Sequence, residues 1–167
     1  MVFFSLPYGI VIIGWIVHVF ADRKPDRRTG HRVLELFLIW WLATQGFFTI
    51  MGGIFHLTGL AHQLAVEIGY APSMFQWEVG WADIAVGVLA FGCIWKRDSW
   101  MTAAVVAYSL ALFGDGIGHV MQYSAHHNVA PDNLWAIPTC FLVPLVAIVC
   151  LIFYRRGQKK LAAGPPT

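Results

Sequence analysis

Apolar residues run in five long blocks along the chain, at about 2–20, 33–55, 75–95, 100–123 and 134–154. Each is close to the roughly 20 residues that carry an α-helix across about 30 Å of hydrocarbon. The connecting polar segments alternate in kind. The loop Asp22–Arg32 holds Arg23, Lys24, Arg27, Arg28 and Arg32, the turn Lys96-Arg97-Asp98 is basic, and Arg155, Arg156, Lys159 and Lys160 follow the last block. The N-terminal stub and the segments Phe55–Met74 and Tyr123–Asn133 contain no Lys or Arg. Basic residues near membrane ends mark the cytoplasmic side. The pattern therefore predicts an all-α integral membrane bundle of five transmembrane helices, a single domain over residues 1–167, with the N-terminus outside and the C-terminus cytoplasmic. Tyr8, Trp77, Trp95, Trp100, Tyr123, Trp135 and Tyr154 gather near block ends, as expected of headgroup-level aromatic belts.

Between the second and third blocks, Leu57, Leu60, Leu64, Ala65 and Ile68 recur at helical spacing until Gly69 and Pro72 end the pattern. That predicts a short amphipathic outer helix, a connector or a lid over the bundle mouth.

Composition fits. Of 167 residues, 58% are hydrophobic and 12% charged, against about 25% charged in soluble domains. Mean hydropathy is +0.64. The net charge of +2 resides in the basic flanks, which suit anionic headgroups and give no nucleic-acid signal. Cys93, Cys140 and Cys150 lie in apolar blocks without metal-ligand spacing and read as small core residues. No basic residue precedes the first block, so the pattern is not that of a cleavable signal peptide.

Candidate chemistry lies in the polar residues inside the blocks. Gln45, Thr49, Gly52 and His56 share one helical face. Asp83 stands between Gly80 and Gly87 on a face where glycines admit a close neighbour. In Gly114-Asp115-Gly116-Ile117-Gly118-His119, Asp115 and His119 are i, i+4 neighbours and Gly114 and Gly118 thin the same side. At 1.5 Å per residue, Asp83 and Asp115 fall roughly 10–13 Å below the outer surface, and His56, Glu78 and His119 within about 5 Å of it. Carboxylates at such depth need a partner, and every Lys and Arg is on the other side. Histidine, a proton, water or a metal must serve.

Several readings follow. His56, Glu78, Asp115 and His119 form a mixed set suited to zinc, iron or manganese. The same residues with Asp83, Gln45 and Thr49 form a polar pocket able to exchange protons with a lipophilic molecule such as a quinone. A protonated acid can also simply hold helices together in a structural or accessory membrane subunit. Haem is disfavoured because the histidines sit at the mouth. A transporter is disfavoured because no inverted repeat is visible, although Pro138 and Pro144 interrupt the fifth block. His126-His127 reads as an exposed loop pair, His18 as a partner of Asp22 or of headgroups, and His31 as a loop residue.

The run Pro72-Ser73-Met74-Phe75-Gln76-Trp77-Glu78-Val79-Gly80-Trp81-Ala82-Asp83, the run Gly114–His119 and the later Asn128…Ala130-Pro131-Asp132-Asn133 resemble a bacterial family of small multi-pass membrane proteins with a domain of unknown function, itself loosely similar to DoxX-like four-helix proteins. The resemblance covers about residues 47–144 and brings no activity with it. Asp83 stands where that family has Asn, which moves weight to Glu78, Asp115 and His119. The DoxX-like likeness implies only a direction towards quinone or sulfur redox chemistry. The expected protein is thus a multi-pass protein of the cell membrane with an outer polar pocket, its partners the bilayer, a lipophilic small molecule or another membrane subunit.

Overall fold

The computed structural model describes residues 2–163, with side chains from Ser5 onward. Among the described residues it is all helical: α1 (Val2–Ala21), α2 (Gly30–His56), α3 (Ala61–Ile68), α4 (Phe75–Phe91) tightening into a 3₁₀ turn (Gly92–Ile94), α5 (Ser99–His126) and α6 (Pro131–Ala163). Four helices are long and apolar enough to cross a membrane: α2, α4 with its 3₁₀ turn, α5 and α6. The described part of α1, Ser5–Ala21, is a shorter apolar helix.

Helix ends differ from the apolar blocks where polar groups extend or stop them. The second helix starts at Gly30, because the Thr29 hydroxyl accepts from the Arg32 amide at 3.2 Å and caps the first turn. Both Arg32 and His31 are consequently helical. The last helix continues past Tyr154 to Ala163, supported by Arg155 donating to Gln158 (2.7 Å) and Gln158 donating to the Tyr154 hydroxyl (3.0 Å). Pro138 and Pro144 lie inside α6 without ending it. Beside Pro144, the Trp41 indole donates to the Val143 carbonyl at 3.1 Å, the kind of neighbour that supports a proline in a membrane helix. The amphipathic segment forms only the short α3, stopped at Gly69 with φ +83°.

The central helix is α2, packed against α1, α4 and α6. Its antiparallel pairing with α4 is set by two reciprocal glycine contacts. A Cβ on Gly46 would stand 2.6 Å from the Gly87 carbonyl oxygen, and one on Gly87 would stand 2.8 Å from that of Gly46. Gly53 and Gly80 repeat the relation at 2.6 and 2.8 Å. Each pair is one heptad from the other, so the two backbones touch along a seam. Asp83 is on that seam, its Cβ against Gly53.

Further ties use indole N–H groups. Trp15 donates to the Val33 carbonyl (3.0 Å), Trp40 to His18 Nδ1 (3.1 Å) and Trp100 to the Leu89 carbonyl (3.0 Å). On the other side α5 packs on α6, with Gly116 against Cys140 and Phe141. Glycines 114 and 118 do not mediate packing: a Cβ on either meets nothing within 4 Å.

The buried apolar cluster, including Leu38, Leu42, Ala90, Met101, Val105, Ala147 and Leu151, occupies the half of the bundle nearest the basic segments, hereafter the basic end. The opposite half, the far end, holds the buried Asn133 and the half-buried His56, Asp83 and His119.

Candidate functional site

At the far end, the α5–α6 connection is fastened to α3. The Asn128 side-chain amide donates to the Ile68 carbonyl at 2.9 Å and to that of Gly69 at 3.4 Å, and its oxygen accepts from the Ala130 amide at 3.1 Å. A Cβ on Gly69 would stand 2.5 Å from that oxygen, so the left-handed conformation and the close approach both require glycine here. The amphipathic helix is therefore a strap pinned at its C-terminal end.

Beneath it lies an oriented imidazole. Pro131 opens α6, a favoured first helical position, which puts Asn133 in the first turn, fully buried. The Asn133 amide hydrogens go to the carbonyls of Asn128 (3.1 Å) and His119 (3.4 Å). Its oxygen then faces His119 Nδ1 at 2.8 Å, so Nδ1 donates and, in the neutral ring, Nε2 is left as an acceptor. The Tyr70 hydroxyl stands 3.5 Å from the same Nδ1, with ring centroids 5.9 Å apart. Tyr70 lies in the α3–α4 connection, where burial first and then the nearby Asp115 charge raise its hydroxyl above the usual phenol range.

One turn before His119, Asp115 is accessible at the surface of α5, between the two uncrowded glycines. Its charge is felt by His119, Asp83 and Cys140 without a direct hydrogen bond or ion pair to any of them among the described residues. Deeper still, the Thr49 hydroxyl donates to the Gln45 carbonyl at 3.0 Å and hydrogen-bonds the Tyr108 hydroxyl at 2.7 Å. Among the described residues the buried Gln45 Nε2 and Ser109 Oγ have no hydrogen-bond partner.

The sequence-predicted residues thus divide. Asp115 and His119 stand one turn apart on α5, Asp83 lies on the α2–α4 seam, and Thr49 and Gln45 face Tyr108 and the core. His56 is drawn aside: its Nδ1 pairs with Gln76 Oε1 at 2.5 Å. Glu78 is exposed. Among the described residues no group of three or more His, Cys, Asp or Glu side chains is close enough to hold a metal ion. The four residues His56, Glu78, Asp115 and His119 are therefore not gathered around one centre; amides hold both histidines instead. His126 and His127 are exposed at the end of α5, where His127 takes φ +52°.

A family model described as Family of unknown function (DUF6790) matches residues 1–160. The chain belongs to that family. Comparison with curated proteins gives no match, and neither does comparison with solved structures. The matched range contains both motif runs, so the Glu78–Asp83 and Asp115–His119 segments are part of the family-wide chain rather than an appendage to it.

The basic end is organised differently. Arg32, 4% exposed, bridges Asp22 at 2.7 Å and Glu35 at 2.5 Å, and Glu35 pairs with Arg97 at 3.2 Å. Arg155 donates to Thr102 at 2.6 and 3.1 Å and to the Asp98 carbonyl. These contacts join the α1–α2 loop, α2, the α4–α5 turn, α5 and α6. Asp22, expected opposite His18, instead serves Arg32, and that guanidinium is the main reason its carboxyl lies below the usual aspartate range. His18 accepts from Trp40, and His31 stacks on Tyr154 with centroids 4.9 Å apart.

Sequence reasoning missed Asn133, Tyr70, Tyr108 and Gln76. For Asn133 a signal existed: Pro131 just before an apolar block marks a helix start, which places the next residues in a helical turn rather than a loop.

Proposed function

We propose that the chain is a five-span protein of the cell membrane, with α1 as the fifth span. The basic end is cytoplasmic and the far end faces outward. Its outer half is a proton-exchanging pocket for a lipophilic molecule, a quinone in the simplest case. The observation that carries this reading is the pairing of an accessible carboxylate with an oriented base. Asp115 opens to the outside of the bundle between two glycines without neighbours, one turn from an imidazole held in one tautomer by the buried Asn133. Asp115 is roughly 12 Å along α5 from Tyr123, a depth at which an exposed carboxylate is unfavourable unless protonated, hydrated or covered. A ligand arriving through the bilayer meets an acid that can donate and a histidine Nε2 that can accept. Asp83, on the α2–α4 seam, is a second carboxyl that feels the charge of the first.

The redox direction is supported only by the loose fold analogy between the resembled family and DoxX-like proteins. A metal-dependent version has no support in the donor arrangement. The accessory-subunit reading has one observation in its favour: Thr49–Tyr108 and His56–Gln76 are hydrogen bonds between helices that need no ligand.

The test is titration of the protein in nanodiscs with a short-chain quinone, read by quenching of tryptophan fluorescence, with proton uptake followed by a pH dye. The expected result is saturable binding that weakens at least about tenfold, the equivalent of one charge-assisted hydrogen bond, in Asp115→Asn and in His119→Ala. Equal binding by wild type and both variants refutes the pocket. No binding by wild type, with loss of thermal stability in both variants, supports the accessory reading instead.

A further inference from the structure

A cavity of about 420 Å³ lies in the half of the bundle towards the basic end, away from Asp115 and His119. Helix α1 forms one wall through Ile10 and His18, α4 and its 3₁₀ turn form the other through Phe91 and Ile94, and α2 provides the floor at Ala43 and Thr44. Both walls pack on α2 rather than extensively on each other, so the cavity is a groove open sideways. Its lining is nearly all apolar. The polar exception at its basic end is His18, whose Nδ1 is taken by the Trp40 indole, so the neutral ring carries its hydrogen on Nε2.

The groove's occupant is constrained by size and by charge. From Ile39 to Phe48 the floor is roughly 13 Å long, a narrow apolar track that a single hydrocarbon chain can follow. The loop that follows the His18 end of α1 carries the exposed Arg23, Lys24, Arg27 and Arg28, with Arg28 over the Phe20 ring at 5.2 Å, and the exposed Lys96 follows the 3₁₀ turn by two residues. Arg32 and Arg97 are engaged with Asp22 and Glu35, so the flanking cations are those with no ion pair among the described residues. An apolar slot ending in one N–H donor and then in a basic rim is complementary to an acyl chain, its ester carbonyl and an anionic phosphate, in that order.

We propose that this groove binds one anionic phospholipid of the cytoplasmic leaflet: an acyl chain between α1 and α4, an ester carbonyl at His18 Nε2, and the phosphate against the Arg23–Arg28 loop. The site does not involve Asp115 or His119. Its leaflet assignment rests on the orientation proposed above.

The experiment is native mass spectrometry of the detergent-purified protein, titrated with an equimolar mixture of phosphatidylglycerol and phosphatidylcholine. Wild type is expected to retain one phosphatidylglycerol with roughly tenfold preference. Ile10→Trp, which fills the groove from a partly exposed wall, and Ala43→Phe, which fills it from the floor, are expected to abolish retention. Replacing Arg23, Lys24, Arg27 and Arg28 together by Gln is expected to remove the preference. The Ile10 variant keeps the test valid if the buried Ala43 substitution misfolds. Equal retention of the two lipids by wild type overturns the proposal, as does unchanged phosphatidylglycerol retention in folded Ile10→Trp. A dimer mass without lipid, lost on filling the groove, also overturns it.

Discussion

The α2–α4 seam makes a quantitative demand that one methyl group can test. In Gly46→Ala the new Cβ falls 2.6 Å from both the Gly87 carbonyl oxygen and the Phe91 amide nitrogen, and 2.9 Å from Ala90 Cβ. Ordinary contact begins at 3.4 Å, so the shortfall is 3.4 − 2.6 = 0.8 Å. Two of the three obstacles are backbone, which cannot swing away, so the helices must part by nearly that amount. Overpacking of this kind costs about 1–3 kcal/mol, offset by about 0.5–1 kcal/mol from replacing a flexible glycine by alanine in a helix. The net expectation is a loss of roughly 1–2 kcal/mol. Gly52→Ala is the control on the same helix: its Cβ meets nothing within 4 Å, so only the helix-propensity gain remains. Unfolding in mixed detergent micelles with increasing dodecyl sulfate, read by far-UV circular dichroism, measures both. The two variants should differ by roughly 2 kcal/mol. Gly46→Ala combined with Gly53→Ala should cost less than the sum of the singles, because one separation relieves both clashes. If Gly46→Ala and Gly52→Ala agree to within about 0.5 kcal/mol, the ordinary scatter of surface changes, the seam is not in contact as described.

Two further outcomes follow from hydrogen bonds outside the spans. Asp22 has a carboxyl lowered mainly by Arg32, so its stabilising effect is complete above the unfolded aspartate value of about 3.9 and is lost as pH falls through the lower folded value. The melting-temperature gap between wild type and Asp22→Asn should stay constant from neutral pH down to about pH 5 and close in stronger acid; a gap that persists there refutes the Arg32 linkage. Asn128→Ala removes the bonds to Ile68 and Gly69, each worth about 0.5–1.5 kcal/mol. Amides of α3 should then exchange with deuterium roughly tenfold or more faster while those of α2 do not change, and unaltered α3 protection means the strap is held by something else.

What the sequence made legible is unequal across the fold, for identifiable reasons. The helices were readable because long apolar blocks have few alternatives, and Gly69 ended α3 because its left-handed conformation has a chemical signature. Packing faces were harder. A membrane helix is apolar towards lipid and towards its neighbours alike, so periodicity does not separate the two, and small residues become the main clue. They were informative at Gly80 and Gly87, which do meet α2. They misled at Gly114 and Gly118, which face open space while Gly116 meets α6. The i, i+4 spacing that united Gln45, Thr49 and His56 on one face was correct helix geometry, yet Gln76 on α4 claims His56, a partner that no spacing within α2 reveals. Arg32 was counted as an orientation signal, and nothing in a loop count distinguishes a cation that faces headgroups from one that is 4% exposed between two carboxylates.

The two ends of the bundle treat charge in opposite ways, and each treatment makes the other useful. At the basic end, Asp22 and Glu35 are answered by Arg32 and Arg97. Removing one partner from such a buried group strands the other charge, so the network resists rearrangement and fixes how α1, α2 and the α4–α5 turn meet. The apolar cluster above it extends that rigidity to mid-bundle. At the far end no Lys or Arg is present to answer Asp83 and Asp115, so those acids are not used as ion pairs of the same kind. Their geometry is instead inherited from below through the α2–α4 seam that carries Asp83, and fixed from the side by Asn133 holding His119. In the proposed reading such an acid, without a cation, is the group that exchanges a proton with a ligand, and the glycines on either side of Asp115, where an added Cβ would meet nothing within 4 Å, leave room for it.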